Sequence, residues 1–193
     1  MIAFDETLFL WINGLAGNVA FVDEFFKGIA NDYFFIVSAC LIMLTLWFGT
    51  RGAGQRERNQ LGVIGALAGL GIAQGFVSLT NFFLTRPRPF TELPTNLIFY
   101  QPTDPSFPAN SAAVIFAIAV AIFLVNRRAG AVLLGLAILH SFSRIYVGIH
   151  YPLDVLGGAA MGTVAALLIF ELIKLLGPWP GRLLKLLRIF YLA

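Results

Sequence analysis

The chain has 193 residues, of which 59% are hydrophobic and 12% are charged, with a formal net charge of +3. A mean hydropathy of +0.84 excludes an ordinary soluble globular domain. It predicts an all-α fold, a polytopic bundle of membrane-spanning helices forming one domain over residues 1–193. We expect the lipid bilayer to surround it and no nucleic acid to be a partner.

Two short apolar segments, residues 5–16 and 21–31, come first in the chain. Both are too short and too acidic to cross a bilayer, so residues 1–32 are predicted to form helices that lie in the membrane interface. In the first segment we expect the apolar side chains to face lipid and the polar ones to face water. The apolar set is Phe4, Leu8, Phe9, Trp11 and Ile12, and the polar set is Asp5, Glu6 and Asn13.

Five apolar runs are long enough to cross a bilayer, given the roughly 20 residues that a spanning helix needs. They are residues 33–50, 60–84, 109–126, 130–149 and 154–176. The first and third are near the short end of the usual range. The sequence therefore predicts about five transmembrane helices.

Charged residues divide between the two sides of these spans. Basic residues follow the first, third and fifth spans and include 9 of the 13 in the chain, whereas 8 of the 10 acidic residues lie on the other side. The positive-inside rule makes the basic side cytoplasmic. We therefore expect a protein of a bacterial or archaeal plasma membrane, with a cytoplasmic C-terminus and its candidate chemistry on the extracytoplasmic face. The tail at 178–193 is typical either of an amphipathic helix on the inner leaflet or of a simple basic anchor.

Residues 85–108 form the long loop of the predicted fold and hold six of the nine prolines. Proline cannot continue a helix and extends the residue before it, so this loop is predicted to be semi-rigid and to have a function at the site. It begins with Arg86 and Arg88 at the outer end of the second span. By themselves they could be membrane-surface anchors, but paired guanidinium N–H donors also suit phosphate oxygens.

An arginine, a histidine and an aspartate follow at fixed spacing as Arg144, His150 and Asp154. A cation inside an apolar run costs roughly 2.5–3.5 kcal/mol, so Arg144 needs a cavity or a partner that receives its charge. A histidine can attack phosphorus, and a carboxylate behind it can fix its tautomer. This stretch predicts a phosphate site at the outer surface of the membrane.

The same residues carry a resemblance to a known family. Ser143-Arg144, five residues, His150, three residues and Asp154 match the third signature of the type 2 phosphatidic acid phosphatase superfamily, whose members are related to the vanadium haloperoxidases. Arg88-Pro89-Phe90 resembles the end of its first signature, and residues 106–111 stand where its second should be. The resemblance covers nearly the whole chain.

That resemblance implies an integral-membrane lipid phosphatase that forms a phosphohistidine. It makes His150 the nucleophile, Asp154 its orienting carboxylate, and Arg88 and Arg144 the phosphate clamps, with Ser143 a further phosphate contact. It implies no cofactor and no metal. Two histidines ten residues apart, without paired carboxylates nearby, also make a poor metal site.

Two of the family's signatures are incomplete here. Asn81 replaces the lysine that begins the first, and Ala109, Asn110 and Ser111 replace the serine, glycine and histidine of the second. The missing histidine is the family's general acid; such help is worth roughly 10²–10⁴-fold, and a serine hydroxyl is too weak an acid to replace it. Arg86 could partly replace the lysine. Asn81 stays a candidate phosphate contact, whereas Asn110 and Ser111 suit either phosphate binding or the start of a helix.

Two other side chains could substitute for the missing acid. Asp104 lies seven residues before Ser111, and its alternative interpretation is a solvated loop carboxylate. His140 shares a helix face with Arg144 at i,i+4, where it could act through a water, and its alternative interpretation is a hydrogen-bonded core histidine.

Functions from different classes fit these residues. The first is a lipid phosphatase acting through His150 that favours polyprenyl diphosphates, because a lipid diphosphate expels a phosphate monoester that needs far less protonation than an alkoxide. The second is a lipid-phosphate binding or carrier protein on the same fold. A histidine followed four residues later by an aspartate favours the enzyme, since a binder needs neither. A small-ion transporter fits poorly, because we find no inverted repeat with broken midplane helices in the sequence.

Overall fold

The computed structural model describes residues 2–50 and 52–177, together with Trp179, Gly181, Arg182 and Leu184. These residues form helices and loops, which confirms the all-α prediction. The helices are α1 (Ile2–Asn13), α2 (Ala20–Ala30), α3 (Asp32–Phe48), α4 (Ala53–Phe83), α5 (Pro89–Glu92), α6 (Asn110–Val125), α7 (Arg127–Tyr146) and α8 (Pro152–Leu175). The tail predicted at 178–193 falls almost entirely outside the described residues.

Helix α6 lies at the centre of the bundle and packs against α4, α7 and α8. Gly158 and Gly162 of α8 lie so close to the carbonyl oxygens of Ala109 and Ala113 that a Cβ at either glycine would overlap them. Small residues at such positions let membrane helices approach closely. This contact holds the start of α8 against the start of α6, where the candidate site is found.

Three helices, α4, α7 and α8, are each long and apolar enough to cross a membrane. Helices α2 and α3 pass the same test as a pair but are bent by 57° at their junction, which brings the number to four if they form one span. The remaining expected span is α6, whose 16 residues extend about 24 Å, less than a hydrocarbon thickness of roughly 30 Å. By length and composition, the described residues give three or four spans rather than five, because α3 and α6 are short.

Helix α1 does not divide its side chains as predicted. Phe9 and Ile12, expected to face lipid, and Asp5 and Asn13, expected to face water, are all buried in the protein, whereas Phe4 and Trp11 are exposed. The polar side chains are buried because they have partners. Asp5 pairs with Arg86, and the Asn13 amide donates to two backbone carbonyls, one in the loop at 85–108 and one at the end of α7. Helix α1 therefore forms part of the protein wall beside the site.

The two ends of the bundle differ in charge. Asn126 donates to Asn59 over 3.4 Å, which places the start of α4 beside the junction of α6 and α7. Basic residues gather at this end, and those described are Arg56, Arg58, Arg127, Arg128, Lys174 and Arg182. The opposite end carries the loop at 85–108 and the junction of α7 and α8, and the candidate site lies there.

Candidate active site

A cavity of about 450 Å³ opens where the start of α6, the end of α7 and the loops on either side of them meet. Several residues predicted from the sequence line it: Arg88, Asp104, Asn110, Ser111, His140, Arg144 and His150. Asp32 and Tyr100 line it as well, although the sequence did not single them out. Segments far apart in the chain therefore supply one site.

His150 is buried in the short connection between α7 and α8. Its Nδ1 lies 3.0 Å from the backbone carbonyl oxygen of Ser106, and because a carbonyl oxygen only accepts, Nδ1 carries the proton. Nε2 therefore holds the lone pair, 3.3 Å from Nη1 of Arg88. Burial, with the positive charges of Arg88 and Arg144, holds the pKa of His150 well below its ordinary value. The ring is thus neutral near pH 7 and presents a nucleophilic nitrogen beside a cation.

A tight turn after α7 gives His150 this position. The helix ends at Tyr146, and Gly148 follows with φ +92°, a conformation that side chains rarely adopt. A Cβ on Gly148 would also lie 2.7 Å from the side chain of Thr95, so the glycine lets the loop at 85–108 pack closely over the turn. Pro152 then begins α8, as its fixed φ favours.

Asp154 reaches His150 through a third residue. It accepts hydrogen bonds from the Ser106 hydroxyl, from the Tyr151 backbone N–H at 3.1 Å and from Arg86 at 2.6 Å. In the described part of the chain no direct bond joins Asp154 to His150. Ser106 stands between them, because its hydroxyl binds the carboxylate and its carbonyl binds the imidazole. The expected orienting contact is therefore indirect.

Arg86 is bound inside the protein rather than aimed at a phosphate. Its guanidinium donates to Asp154 at 2.6 Å and to Asp5 at 2.7 Å, and it lies 3.9 Å from the centre of the Tyr151 ring. Burial lowers the pKa of Arg86, but the bonds to the two aspartates outweigh that effect and raise it. Arg86 also lines a neighbouring cavity rather than that of His150. Two buried carboxylates already balance the charge of Arg86, so its interpretation as a replacement for the lost lysine gains no support here and stays a prediction.

Arg144 enters the cavity from the last turn of α7 and is buried. Its Nη1 donates to the Ala30 carbonyl at 2.9 Å and to Asp32 at 2.8 Å. Asp32 in turn accepts from the Tyr100 hydroxyl at 2.7 Å. The Nε of Arg144 is buried and has no hydrogen-bond partner among the described residues. The guanidinium is thus held on one side and keeps donors for a ligand on the other.

Arg88 is the second buried cation of the cavity. It donates from Nη1 to the Ile149 carbonyl at 2.8 Å, and it pairs with Asp104 through a side-chain and a backbone contact, each at 2.9 Å. The Asp104 side chain is 53% exposed. Asp104, the candidate substitute acid, is therefore a half-exposed partner of Arg88.

Asn110 and Ser111 occupy the first turn of α6 and line the cavity. The residue that caps this helix is Ala109, without a side-chain cap bond. Neither the Asn110 Oδ1 nor the Ser111 Oγ has a hydrogen-bond partner within the described residues. A helix N-terminus attracts anions through its free backbone N–H groups and its dipole. The Ser111 hydroxyl is therefore free to donate to an anion there, whereas the Asn110 Oδ1 can only accept a hydrogen bond.

His140 is buried in α7 and also lines the cavity. Its Nδ1 lies 2.8 Å from the Ile29 carbonyl oxygen, while its buried Nε2 has no partner among the described residues. It is therefore a hydrogen-bonded core histidine on one side and a cavity residue on the other.

Two predicted phosphate contacts lie elsewhere. The Ser143 hydroxyl donates to the His140 carbonyl at 2.6 Å within α7, because a helical serine readily bonds back to the preceding turn. Asn81, in the last turn of α4, is not among the described residues that line the His150 cavity. The phosphate contacts of both residues therefore stay predictions, although neither lines the His150 cavity as described.

Sequence reasoning missed several residues that build the site. Asp5 and Asp32 give a detectable signal, since a carboxylate beside an apolar segment needs a partner. Ser106 and Tyr100 give none, because their contacts depend on the path of the loop at 85–108. The resulting cavity combines a neutral imidazole, two guanidiniums and a helix N-terminus, an arrangement suited to phosphoryl transfer.

Comparisons with known proteins show which family and which solved structures the chain is similar to. The model of the PAP2 superfamily matches residues 62–177. Undecaprenyl-diphosphatase BcrC of Bacillus subtilis (strain 168) is 31% identical over 172 residues, which cover 89% of this chain and 86% of the relative. An undecaprenyl-diphosphatase of Sulfolobus acidocaldarius is 36% identical over 88 residues, which cover 44% of this chain and 42% of the relative.

A solved structure shares the fold. The crystal structure of Aquifex aeolicus LpxE superposes with a TM-score of 0.66 at 27% identity, covering 86% of this chain and 93% of that chain. Together with the long apolar helices, these relatives identify an integral membrane protein.

Proposed function

This chain belongs to the PAP2 superfamily, as the resemblance of its signatures predicted, and from that membership we propose that it hydrolyses the diphosphate or phosphate headgroup of a membrane lipid. The observation that carries the proposal is the geometry of His150. Its protonated Nδ1 is held by the Ser106 carbonyl, and its Nε2 faces a cavity that two buried arginines line. The names of the two undecaprenyl-diphosphatases favour a polyprenyl diphosphate as substrate.

The reaction proceeds in two displacements. Nε2 of His150 attacks the terminal phosphorus, a P–N bond forms, and the bond from phosphorus to the bridging oxygen breaks. The lipid monophosphate leaves with the bonding electrons. Water then attacks the phosphohistidine, the P–N bond breaks, and inorganic phosphate leaves while His150 returns to its neutral form.

Positive charge in the cavity stabilises the transferring phosphoryl group. Arg144 and Arg88 supply guanidinium donors, and the start of α6 supplies backbone N–H groups at Asn110 and Ser111. Removing one such donor from an enzyme typically costs on the order of 10²–10³ in rate. These groups suffice without a metal, so we propose a metal-independent reaction.

The leaving group determines which lipid is favoured. Ser111 stands where the family's general acid would be, and Asp104 is paired with Arg88. A lipid monophosphate must expel an alkoxide, whereas a lipid diphosphate expels a phosphate monoester that needs little protonation. The cavity therefore favours the diphosphate.

We propose that the cavity faces the extracytoplasmic side. It lies at the end of the bundle opposite the basic residues of α4, α7 and α8. The positive-inside rule places those residues in the cytoplasm, and the C-terminus with them.

Phosphate release from detergent-purified protein tests the function. A polyprenyl diphosphate, its monophosphate and phosphatidic acid are compared, with and without a chelator, using His150→Gln as the control. We expect chelator-resistant release that is fastest from the diphosphate and lost in the variant. Faster release from phosphatidic acid would overturn the proposed preference.

A lipid-phosphate binding or carrier protein is the second candidate function. It is favoured by Ser111 in place of the general acid, and by the clamp arginines already paired with Asp32 and Asp104. A binder would release no phosphate from any of the three lipids. It would still bind the polyprenyl monophosphate, and Arg144→Ala would abolish that binding.

A further inference from the structure

A second imidazole faces the cavity and has no part in the mechanism above. His140 is 1% exposed and lies one helical turn before Arg144 on α7. It lines the same cavity as His150, Ser111 and Arg144. Its position is therefore inside the space that receives the substrate phosphate.

The tautomer of His140 follows from its one hydrogen bond. Nδ1 lies 2.8 Å from the Ile29 carbonyl oxygen, which only accepts, so Nδ1 carries the proton and Nε2 holds the lone pair. That Nε2 is buried and has no hydrogen-bond partner within the described residues. Burying a polar atom without a partner is costly, and such an atom in a native site needs an explanation. Within the described residues, Nε2 is therefore a buried acceptor without a donor.

We infer that His140 is the general base that activates the water attacking the phosphohistidine at His150. The inference rests on the proposed function and adds a residue to it. The alternatives in the cavity are weaker, since Asp104 is paired with Arg88 and a serine hydroxyl such as that of Ser111 is a poor base.

The proton and bond changes balance. As the water oxygen attacks phosphorus, Nε2 of His140 takes a proton from that water, and the P–N bond to His150 breaks. The imidazolium at His140 donates from Nδ1 to the Ile29 carbonyl and from Nε2 to the phosphate formed. Arg144 on the same helix and Asp32 from α3 flank the site with opposite charges. The proton leaves with the phosphate, which returns His140 to its starting form.

This role fits the leaving group of a diphosphate. The first displacement expels a phosphate monoester and needs no strong acid, so the absence of the family's histidine slows this step little. The second displacement requires a base, because water is a poor nucleophile until it loses a proton. A neutral His140 supplies that base and not an acid.

His140→Gln tests the inference with farnesyl diphosphate labelled with ³²P at its terminal phosphorus. The glutamine amide can still donate to the Ile29 carbonyl but does not act as a base. We expect one rapid release of farnesyl monophosphate per enzyme, a label that persists on His150, and a steady-state rate at least about 10²-fold below wild type. Ser141→Ala is the matched control, because Ser141 is the buried neighbour on α7 and its hydroxyl has no partner among the described residues.

Each outcome supports or overturns the inference. A stable label in His140→Gln, absent from wild type and from Ser141→Ala at steady state, supports it. Wild-type turnover in His140→Gln, or equal loss of the first release and of later turnover in a folded variant, overturns it. His140→Asn provides the same comparison if the glutamine variant does not fold. Failure of wild type itself to release phosphate would instead overturn the proposed function.

Discussion

Nδ1 of His150 lies 3.0 Å from the backbone carbonyl oxygen of Ser106, and this contact leaves the lone pair of the imidazole on Nε2, toward the cavity. A backbone carbonyl, rather than a carboxylate, therefore orients this imidazole. The carboxylate of Asp154 acts on the same histidine only through the serine that it binds. The orientation of the His150 ring thus depends on the path of the loop at 85–108.

Ser106 binds Asp154 through its hydroxyl and His150 through its backbone carbonyl, and Ser106→Ala separates these two contacts. The variant keeps the carbonyl but removes the hydroxyl bond to Asp154, and a hydrogen bond to a charged group contributes about 1.5–3 kcal/mol to stability. We expect the unfolding free energy to fall by about that amount and kcat to fall by about tenfold, with KM nearly unchanged, because the loop moves relative to His150. Phosphate-release kinetics and denaturant unfolding measure both.

Ser143→Ala is the control for this prediction, since its hydroxyl bonds within α7. We expect near wild-type kcat from it. Wild-type kcat in Ser106→Ala, or an equal loss in both variants, would show that the Ser106 hydroxyl does not position the nucleophile.

Asp5→Asn tests whether α1 is part of the site's framework. Asp5 is 1% exposed, pairs with Arg86 and accepts the Leu153 backbone N–H at 2.9 Å. Breaking a buried ion pair costs about 3–5 kcal/mol, and because Arg86 keeps Asp154 as a partner we expect about 3 kcal/mol. Denaturant unfolding in one detergent measures this loss of unfolding free energy. The control is Glu6→Gln, because Glu6 is the half-buried neighbour of Asp5. Equal stability of the two variants would contradict the conclusion that α1 is part of the site's framework.

Local motifs identified part of the site because a signature keeps its residues within one or two turns of each other. Arg144 and His150 line one cavity, as their shared signature implies, and Arg88 joins them from the other end of the long loop. For Arg86, nothing local in the sequence shows that Asp5, 81 residues away, balances its charge. The same limit applies to Asp32, which binds Arg144 from 112 residues away.

The fold was predictable to a similar extent. Hydropathy shows which segments are apolar, so the all-helical bundle followed from composition. It does not show that Phe9 and Ile12 of α1 are buried by protein instead of lipid, because both environments select apolar side chains. Hydropathy also does not show whether α6 must equal the hydrocarbon thickness in length. This helix is short and packs among α4, α7 and α8.

Arg144→Lys should preserve the charge but lose the paired donors that a phosphate needs. We expect kcat/KM for a polyprenyl diphosphate to fall on the order of 10²-fold, because an ammonium does not reproduce guanidinium geometry. Arg86→Lys is the comparison, since Arg86 is bound to aspartates. A larger loss of kcat/KM from Arg86→Lys than from Arg144→Lys, in folded variants, would reverse the assignment of the clamp.

Asp32→Asn should strengthen substrate binding. The Asp32 carboxylate lies 2.8 Å from Arg144, and its side chain is 47% exposed, so the pair adds little stability. Removing its negative charge reduces repulsion of an anionic diphosphate, and we expect KM to fall about threefold with kcat near wild type. Steady-state kinetics at low and high salt check this, since salt screens the effect. A raised KM at both salt concentrations would show that Asp32 mainly holds Arg144 in place.

Lowering the pH should destabilise the protein through His150. Its pKa is held well below 6.5 in the folded state, whereas the unfolded chain binds a proton near pH 6.5. The unfolded state therefore binds more protons below that pH, and stability falls as the pH drops, by at most about 1.4 kcal/mol per pH unit for this group. We expect thermal unfolding between pH 7 and pH 5 to be less pH-dependent in His150→Gln than in wild type. Identical pH dependence in the two proteins would contradict the buried, neutral state of His150.

In the proposed reaction, His150 carries the phosphoryl group. Rapid quench in alkali, which preserves phosphohistidine, measures this with farnesyl diphosphate labelled with ³²P at its terminal phosphorus. We expect wild type to show, within the first turnover, an acid-labile label that maps to His150 and is absent from His150→Gln. Phosphate release by wild type with no such label, or undiminished release by His150→Gln, would contradict it.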